Sequence, residues 1–225
     1  MIKTESFESL GENYYVAVSN KHKFGTDSIL LCNFAEILRK DVVADFGTGC
    51  GIISILLCKK YKPQKIYAFD ILKSATDLAE KSVLKSNLKD RVLVLNEDIK
   101  KLDKKYYNMF NKIVCNPPYK ALNKGKISSS FENQVARHES TLTIEEVCKT
   151  AGKLLKFQGS LFLSCRVERL CEVFGVMQKY SIEPKKLQFC AKNKNSAPWL
   201  FLVEGRKNAK PFLKVLPIYF VEKGD

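Results

Sequence analysis

The stretch Val42-Val43-Ala44-Asp45-Phe46-Gly47-Thr48-Gly49-Cys50-Gly51 decides the fold of this chain. Its first half is a short apolar run, which indicates a buried strand, and its alternate glycines predict a tight turn into a helix over residues 52–60. Glycine adopts positive φ angles without strain and lets the backbone pass close to a ligand. The helix that follows presents free N–H groups and the positive end of its dipole at the same place.

Strand and helix patterns alternate along the chain after this turn. Further strands are predicted at residues 65–69, 91–95, 111–115 and 159–165, with helices at 72–86, 143–155 and 167–180. Two late strands, at 185–191 and 199–204, have no helix between them, which favours an antiparallel pair. A strand at 14–18 and a helix at 28–38 come earlier. We therefore expect an α/β fold with a mostly parallel sheet over residues 41–225, and residues 1–40 as an N-terminal cap segment of the same compact domain.

The chain is strongly basic. It has 225 residues, with 38 Lys and Arg against 24 Asp and Glu, so its net charge is +14. Such a surface favours a polyanionic partner, because each cation placed near a phosphate releases a condensed counterion. A generally basic proteome or a solubility effect would produce the same balance. No apolar run is long enough to span a bilayer, and residues 1–12 carry no apolar signal core, so we expect no membrane partner.

The cysteines indicate buried thiols in a reducing compartment. Eight are present, no two are spaced as Cys-x-x-Cys, and no Cys/His cluster occurs. That pattern argues against a structural zinc site, so we expect no metal. Several cysteines lie inside apolar runs, where they behave as small hydrophobic residues. We expect a cytoplasmic protein.

Acidic residues after three successive strands predict a site for an adenosine-containing cofactor. The glycines are spaced Gly-x-Gly-x-Gly, whereas a dinucleotide fingerprint needs glycine where Ile52 stands, which disfavours NAD or FAD without excluding them. No Gly-Lys-Ser/Thr sequence occurs, so a P-loop is excluded. Asp70 ends the second predicted strand and suits ribose hydroxyls, and Asp98 follows the third and suits an adenine amine. Either aspartate alone fits a helix cap or a turn equally well.

The most specific motif is Asn116-Pro117-Pro118-Tyr119, which follows the fourth strand. An exocyclic aromatic amine is a poor nucleophile, because its lone pair is delocalised into the ring. The Asn116 side-chain oxygen and the Pro117 carbonyl can hold its two N–H groups in the pyramidal geometry that attacks a methyl group, and Tyr119 can stack on an extruded base. The alternative is a rigid Pro-Pro turn that only ends the strand.

These two motifs resemble those of class I S-adenosylmethionine-dependent methyltransferases of the amino-methylating type. Within that group the chain is most similar to the bacterial valine-tRNA adenine-N6-methyltransferases, which modify the adenosine just 3′ of the anticodon. Three further stretches carry this narrower resemblance, namely Lys23-Phe24-Gly25-Thr26-Asp27, Ala136-Arg137-His138-Glu139 and Leu142-Thr143. The resemblance covers residues 24–159 well and is weaker at both ends.

The resemblance implies a Rossmann-like, seven-stranded, mostly parallel sheet with an antiparallel edge strand and helices on both faces. It makes residues 41–225 the methyltransferase domain and S-adenosyl-L-methionine the cofactor. The implied cofactor-binding residues are Thr26, Asp27, Asp45, Gly47, Gly49, Gly51, Asp70, Ile71, Asp98, Ile99 and Asn116. The implied catalytic residues are Asn116, Pro117, Pro118 and Tyr119, and the substrate-binding residues are Lys120, Lys124, Lys126, Arg137 and His138.

Two basic groups are candidates for phosphate contacts. The first is the polar stretch of residues 120–140, for which a solvated surface loop is the equal alternative. The second lies around Trp199, which we expect to pack in the core rather than to stack on a base. Its members are Lys192, Lys194, Arg206, Lys207 and Lys210.

The function expected is transfer of a methyl group to N6 of an adenosine in tRNA, next to the anticodon of a valine tRNA, by a monomer. Related enzymes methylate a release-factor glutamine or guanine amines. Release-factor enzymes usually carry a helical N-terminal domain, and DNA adenine methyltransferases add a target-recognition domain, for which the chain leaves little room. A catalytically silent RNA-binding module is the alternative of another class, and the intact Asn116, Tyr119 and Asp70 argue against it.

Overall fold

The computed structural model describes residues 5–20, 22–117 and 142–222. The strands are β1 Ser6–Ser9, β2 Tyr15–Val18, β3 Val42–Phe46, β4 Lys65–Asp70, β5 Val92–Asn96, β6 Phe110–Cys115, β7 Leu155–Arg166, β8 Ile182–Ala191, β9 Leu200–Lys207, β10 Lys214–Val215 and β11 Tyr219–Phe220. The helices are α1 Thr26–Phe34, α2 Ile52–Tyr61, α3 Lys73–Lys85, α4 Ile144–Leu154 and α5 Leu170–Lys179. Among the described residues, no helix is both long and apolar enough to cross a membrane.

The central sheet has the strand order β5-β4-β3-β6-β7-β9-β8, and two short strands, β10 and β11, pair with the outer side of β8. All neighbours are parallel except β9, which runs antiparallel to both β7 and β8. The Rossmann-like α/β prediction is confirmed, including the antiparallel pairing of the two late strands. The antiparallel strand is not at the edge, however. It inserts between β7 and β8, because helix α5 crosses over from β7 to β8 and leaves room for one returning strand.

Helices cover both faces of the sheet, and each face has its own hydrophobic core. One core lies beneath α1, α2 and α3 and includes Leu31, Ile55 and Leu57. The other lies beneath α4 and α5 and includes Phe69 and Phe110. Strands buried on both faces must be apolar along their whole length, which is why the sequence shows continuous apolar runs rather than alternation at β3 and β6.

Segments before β3 pack onto the first of these faces. Strands β1 and β2 form an antiparallel hairpin that lies against α3. The Ser82 hydroxyl on α3 accepts from the backbone N–H of Ala17 over 2.9 Å, so α3 hydrogen-bonds directly to β2. Helix α1 ends at Phe34, four residues before its predicted end, because Ala35 adopts an extended conformation with ψ of 135°.

Helix α4 begins with the capping box that its sequence predicts. The Thr143 hydroxyl accepts from the Glu146 backbone N–H over 3.2 Å, and the Glu146 carboxylate accepts from the Thr143 backbone N–H over 2.9 Å. Two of the donors that a helix start leaves unpaired are satisfied in this way. The capping box therefore fixes where the chain re-enters the fold after residue 141.

Candidate active site at the carboxyl ends of the parallel strands

The registers of four strands bring the two sequence motifs together. Phe46, the last residue of β3, pairs with Cys115, the last residue of β6, and with Phe69 of β4 on the other side. Gly47 and Asn116 are the residues that follow Phe46 and Cys115. The glycine turn and the Asn-Pro segment therefore leave adjacent strands at the same edge of the sheet, which is where open α/β sheets bind ligands.

The glycine turn leaves open space beside its backbone. Gly47 and Gly49 have φ angles of 70° and 58°, and a Cβ atom added to either glycine would meet no atom within 4 Å. The N–H groups of Gly47 and Thr48 both donate to the Phe69 carbonyl over 2.9 Å, which ties the turn to the end of β4. The result is a fixed backbone cradle with an open side.

Gly51 has a different role. Its φ is 86°, and an added Cβ would lie 3.3 Å from the Cα and Cβ atoms of Ala79. The missing side chain lets the start of α2 pack closely against α3. This third glycine therefore shapes the site through helix packing rather than through an open side.

Asp45 lies beneath the turn and is fully buried. Its Oδ2 accepts from the hydroxyls of Thr48 and Ser54, each over 2.7 Å, whereas Oδ1 has no hydrogen-bond partner among the described residues. Burial raises the pKa of Asp45 to about 6, the two hydroxyl hydrogen bonds oppose that rise, and the neighbouring Asp70 carboxylate adds to it. A buried carboxylate oxygen without a partner suits a ligand that brings a donor or a positive charge.

Asp70 and Ile71 stand where β4 ends. The Asp70 carboxylate accepts from the N–H groups of Gly49 and Leu72, both over 2.9 Å. Ile71 is 42% exposed and presents an apolar surface next to that carboxylate. The Asn96 side-chain amide donates to the Asp70 and Ile71 carbonyls, both over 3.0 Å, and holds this turn in place.

Asp98 and Ile99 follow β5 at the same edge. The Asp98 carboxylate caps a short 3₁₀ helix by accepting from the Lys100 N–H over 3.0 Å, which is the structural role that its position also allowed. Ile99 is buried in the core beneath α4, so its side chain contributes packing. Of the two predicted isoleucines, only Ile71 offers an exposed apolar face.

Thr26 and Asp27 form the first turn of α1, and Asn116 lies beside the next residue of that helix. The Asn116 side-chain nitrogen donates to the Ser28 hydroxyl over 2.9 Å, and the Asn116 side-chain oxygen accepts from the Ser164 hydroxyl over 2.6 Å. Contact through Ser28 brings the predicted Thr26-Asp27 segment to the site, although 88 positions separate Ser28 from Asn116. Pro117 is buried behind the asparagine.

Several predicted site residues lie outside the described part of the chain. They are Pro118, Tyr119, Lys120, Lys124, Lys126, Arg137 and His138.

The second basic group divides between opposite edges of the sheet. Lys192 and Lys194 follow the carboxyl end of β8, at the same edge as Asn116. Arg206, Lys207 and Lys210 lie at or beyond the far end of β9, at the opposite edge, because β9 runs antiparallel. Trp199 packs against the core beneath α1, as expected.

The sulfur atoms of the described residues offer no metal centre. Seven cysteines are buried and Cys171 is exposed, and all eight are free thiols. Burial raises the pKa of Cys148 and Cys165 to about 12, so both stay protonated. No group of three or more His, Cys, Asp or Glu side chains within residues 5–20, 22–117 and 142–222 could hold a metal ion.

Sequence reasoning missed the hydroxyl groups that surround the two motifs. Ser28 and Ser164 contact Asn116, and Thr48 and Ser54 contact Asp45. A lone serine inside an apolar run is the available signal for Ser164, which lies fully buried in β7. That signal shows a need for a partner and does not identify the partner.

Comparison with known proteins agrees with this geometry. The model of the family described as methyltransferase small domain matches residues 18–179 of this chain. The chain belongs to this family. It is accordingly an S-adenosylmethionine-dependent class I methyltransferase, as the motifs predict.

Relatives of known name point in the same direction. The tRNA1(Val) (adenine(37)-N6)-methyltransferase of Bacteroides thetaiotaomicron is 32% identical over 139 residues, which cover 61% of this chain and 57% of that protein. The match thus spans less than two thirds of the relative's length.

Solved structures with this fold include other methyltransferases. A predicted O-methyltransferase from Agrobacterium tumefaciens superposes with a TM-score of 0.69 at 17% identity, and 86% of each chain is covered. M. jannaschii TYW2 in complex with AdoMet has a TM-score of 0.62 at 13% identity, with 92% of this chain and 87% of that chain covered. At such low identity these likenesses establish the fold alone.

The residues at the carboxyl edge fit S-adenosylmethionine. The glycine cradle has an open side, the acid at the end of β4 suits ribose hydroxyls, and Ile71 offers an apolar surface for an adenine ring. The unpartnered Asp45 oxygen suits the positively charged end of the ligand. The methyltransferase cofactor and the site therefore agree in chemistry.

Proposed function

We propose that this chain transfers a methyl group to the exocyclic N6 amine of an adenosine in tRNA, next to the anticodon of a valine tRNA. The observation that carries the proposal is the position of Asn116, which begins the Asn-Pro-Pro-Tyr segment directly beside the glycine turn. The relative from Bacteroides thetaiotaomicron, named for adenine-37 N6 methylation of tRNA1(Val), supports the choice of substrate.

The chemistry requires acceptors for the amine and a fixed direction of attack. S-adenosylmethionine supplies an electrophilic methyl group on a positively charged sulfur. The Asn116 side-chain oxygen and the Pro117 carbonyl accept the two N–H groups of the adenine amine and turn its lone pair toward that methyl group. Asparagine cannot remove a proton at neutral pH, so its contribution is positioning and electrostatic stabilisation.

Cofactor binding follows from the elements at the same edge. Gly47 and Gly49 provide the close backbone approach, Asp70 accepts from the ribose hydroxyls, and Ile71 packs on the adenine. Thr26, Asp27 and Asp45 face the methionine end. The remaining predicted cofactor residues, Asp98 and Ile99, shape the adenine side of the site.

The substrate is held by phosphate contacts at this edge. The net charge of +14 supports an RNA partner, and Lys192 and Lys194 add two cations beside the site. The stretch of residues 120–140 contributes further contacts through the side chains already named. We also propose that the enzyme acts in the cytoplasm as a monomer, with residues 1–40 as a cap on the methyltransferase domain of residues 41–225.

The direct test is methylation of an unmodified valine tRNA transcript. The protein is incubated with the transcript and methyl-labelled S-adenosylmethionine, and nuclease digests are analysed by mass spectrometry for N6-methyladenosine and its position. We expect the label at the adenosine 3′ of the anticodon. Label in a release factor or in rRNA guanine, with none in tRNA, would overturn the proposal, and so would binding of RNA without any transfer.

A matched pair of variants separates chemistry from folding. Asn116→Ala removes the acceptor, and we expect kcat to fall by at least about 10²-fold with cofactor binding kept. Asn111→Ala removes an amide from the opposite end of the same strand, where it accepts from the Val42 N–H over 2.9 Å. That control is expected to keep its activity. An Asn116→Ala enzyme with full activity would refute the mechanism.

A further inference from the structure

The side-chain amide of Asn116 lies between two hydroxyl groups from distant parts of the chain. Its nitrogen donates to Ser28 Oγ of α1 over 2.9 Å, and its oxygen accepts from Ser164 Oγ of β7 over 2.6 Å. The parallel pairing of β6 with β7 sets Cys115 opposite Leu163, so Ser164 is the next residue beside Asn116. Both serines are buried, with 4% and 0% exposure.

We propose that Ser28 and Ser164 are positioning residues that fix the rotation of the Asn116 amide for catalysis. This inference rests on the proposed function, in which the amide oxygen must face the substrate amine. An asparagine amide has an acceptor at one end and two donors at the other. Rotation by half a turn would set N–H against the N–H of the amine and would oppose its binding.

Packing alone does not fix this rotation. The terminal torsion of asparagine is broad, and its oxygen and nitrogen have nearly the same shape. Here one serine donates to the oxygen and the other accepts from the nitrogen, so the pair specifies both ends of the amide. An amide oxygen can accept two hydrogen bonds, and the bond from Ser164 is therefore compatible with a bond from the substrate.

The surroundings of both serines support a specific purpose. Ser164 lies in a strand segment that is otherwise apolar, between Leu163 and Cys165. A buried hydroxyl at such a position is costly unless it is hydrogen-bonded, and here it bonds to the predicted catalytic amide. Ser28 is the polar member of the buried face of α1, beside Leu30 and Leu31 along the helix.

Kinetics with two alanine variants test the inference. We expect Ser164→Ala and Ser28→Ala each to lower kcat about tenfold, with KM for S-adenosylmethionine within about twofold of wild type. Ser160→Ala is the matched control, because Ser160 is a buried serine of the same strand that donates to Glu204 over 2.8 Å, away from the site. Unchanged kcat in the two site variants, or an equal loss in the control, would overturn the proposal.

A double-mutant cycle distinguishes positioning from a general loss of stability. If Ser164 acts through Asn116, Ser164→Ala is expected to cause no further loss of single-turnover rate when Asn116 is already alanine. An additional tenfold loss in that background would contradict the inference. Ser164→Thr keeps the hydroxyl and is expected to recover most of the rate.

A readout without activity keeps the inference apart from the proposed function. The side-chain NH₂ signals of Asn116 in a ¹H–¹⁵N spectrum are identified by their loss in Asn116→Ala. We expect Ser28→Ala to accelerate hydrogen exchange of these protons, because it removes their acceptor, and Ser160→Ala to leave it unchanged. Unchanged exchange in Ser28→Ala would refute the clamp. An inactive wild-type protein with the expected exchange pattern would refute the substrate assignment only.

Discussion

The carboxylate of Asp70 accepts a hydrogen bond from the backbone N–H of Gly49 over 2.9 Å, across 21 positions of sequence. The second carboxylate oxygen accepts from the Leu72 N–H, also over 2.9 Å. One acidic side chain thus holds the glycine turn after β3 and the turn after β4 in a fixed relation. The same oxygens retain the capacity to accept from ribose hydroxyls, since each carboxylate has about four lone-pair sites.

Removing this carboxylate should weaken cofactor binding. We expect Asp70→Ala to raise the dissociation constant for S-adenosylmethionine by about 10- to 100-fold, because hydrogen bonds to a charged acceptor are lost and the turn loosens. Isothermal titration calorimetry measures the change. Asp77→Ala is the control, since Asp77 is an exposed aspartate of α3 that pairs with Lys73. Equal affinity in the two variants would argue against Asp70 as a cofactor ligand.

Gly51 should tolerate alanine poorly. Its φ of 86° and the 3.3 Å approach of an added Cβ to Ala79 predict a loss of about 1–3 kcal/mol in the free energy of unfolding. Urea denaturation provides the measurement. Gly175→Ala is the opposite control, because Gly175 lies in the exposed part of α5 with nothing within 4 Å. There alanine is expected to stabilise by about 0.5–1 kcal/mol, and a destabilised Gly175→Ala would contradict this account.

The buried Asp45 predicts a pH dependence of stability. Its folded-state pKa of about 6 lies above the unfolded value of 3.8, so the native protein holds this proton more tightly than the unfolded chain. The stabilisation from Asp45 is complete below pH 3.8 and is lost as the pH rises through about 6. We expect wild type to lose up to about 3 kcal/mol relative to Asp45→Asn across this window, measured by urea denaturation of cofactor-free protein.

A second variant checks the origin of that dependence. The Ser54 hydroxyl donates to the Asp45 carboxylate and opposes the effect of burial. Ser54→Ala is therefore expected to move the transition to higher pH. A constant difference between wild type and Asp45→Asn at every pH would show that Asp45 does not titrate in this range.

The divided basic group predicts an asymmetric effect on RNA binding. We expect Lys192→Ala with Lys194→Ala to raise KM for tRNA and to reduce the salt dependence of binding by about one per lost phosphate contact. The control is Lys89→Ala with Lys210→Ala, which removes the same charge from the opposite edge of the sheet. Fluorescence anisotropy at several salt concentrations gives both slopes. Identical slopes for the two double variants would mean that RNA binding does not depend on the edge.

Much of the fold could be predicted because its signals are local. The apolar run of β3, the glycines after it and the capping box at Thr143 each depend on residues a few positions apart. The end of α1 was predicted too late, since Ile37 and Leu38 continue the apolar pattern while the backbone at Ala35 has already left the helix. Periodicity reports which residues face the core and does not report where the chain turns.

The candidate site divides in the same way. Asp45, Gly47, Asp70 and Asn116 could be placed together from sequence, because residues that follow parallel strands meet at one edge of a sheet. Ser28 and Ser164 could not, since nothing in their neighbourhood names a partner 88 or 48 positions away. Hydroxyl groups are also common on surfaces, so their type alone carries little information.

By itself, the sequence determined the α/β class, the glycine turn with its acidic partner and the Asn-Pro-Pro-Tyr segment, because backbone freedom and side-chain period act over short distances. Only the tertiary structure decided that β9 inserts between β7 and β8 and that the basic group around Trp199 divides between two edges. It also decided that two serines contact the Asn116 amide. Strand order and such contacts depend on which distant surfaces bury one another, and that competition is settled by the packing of the whole chain.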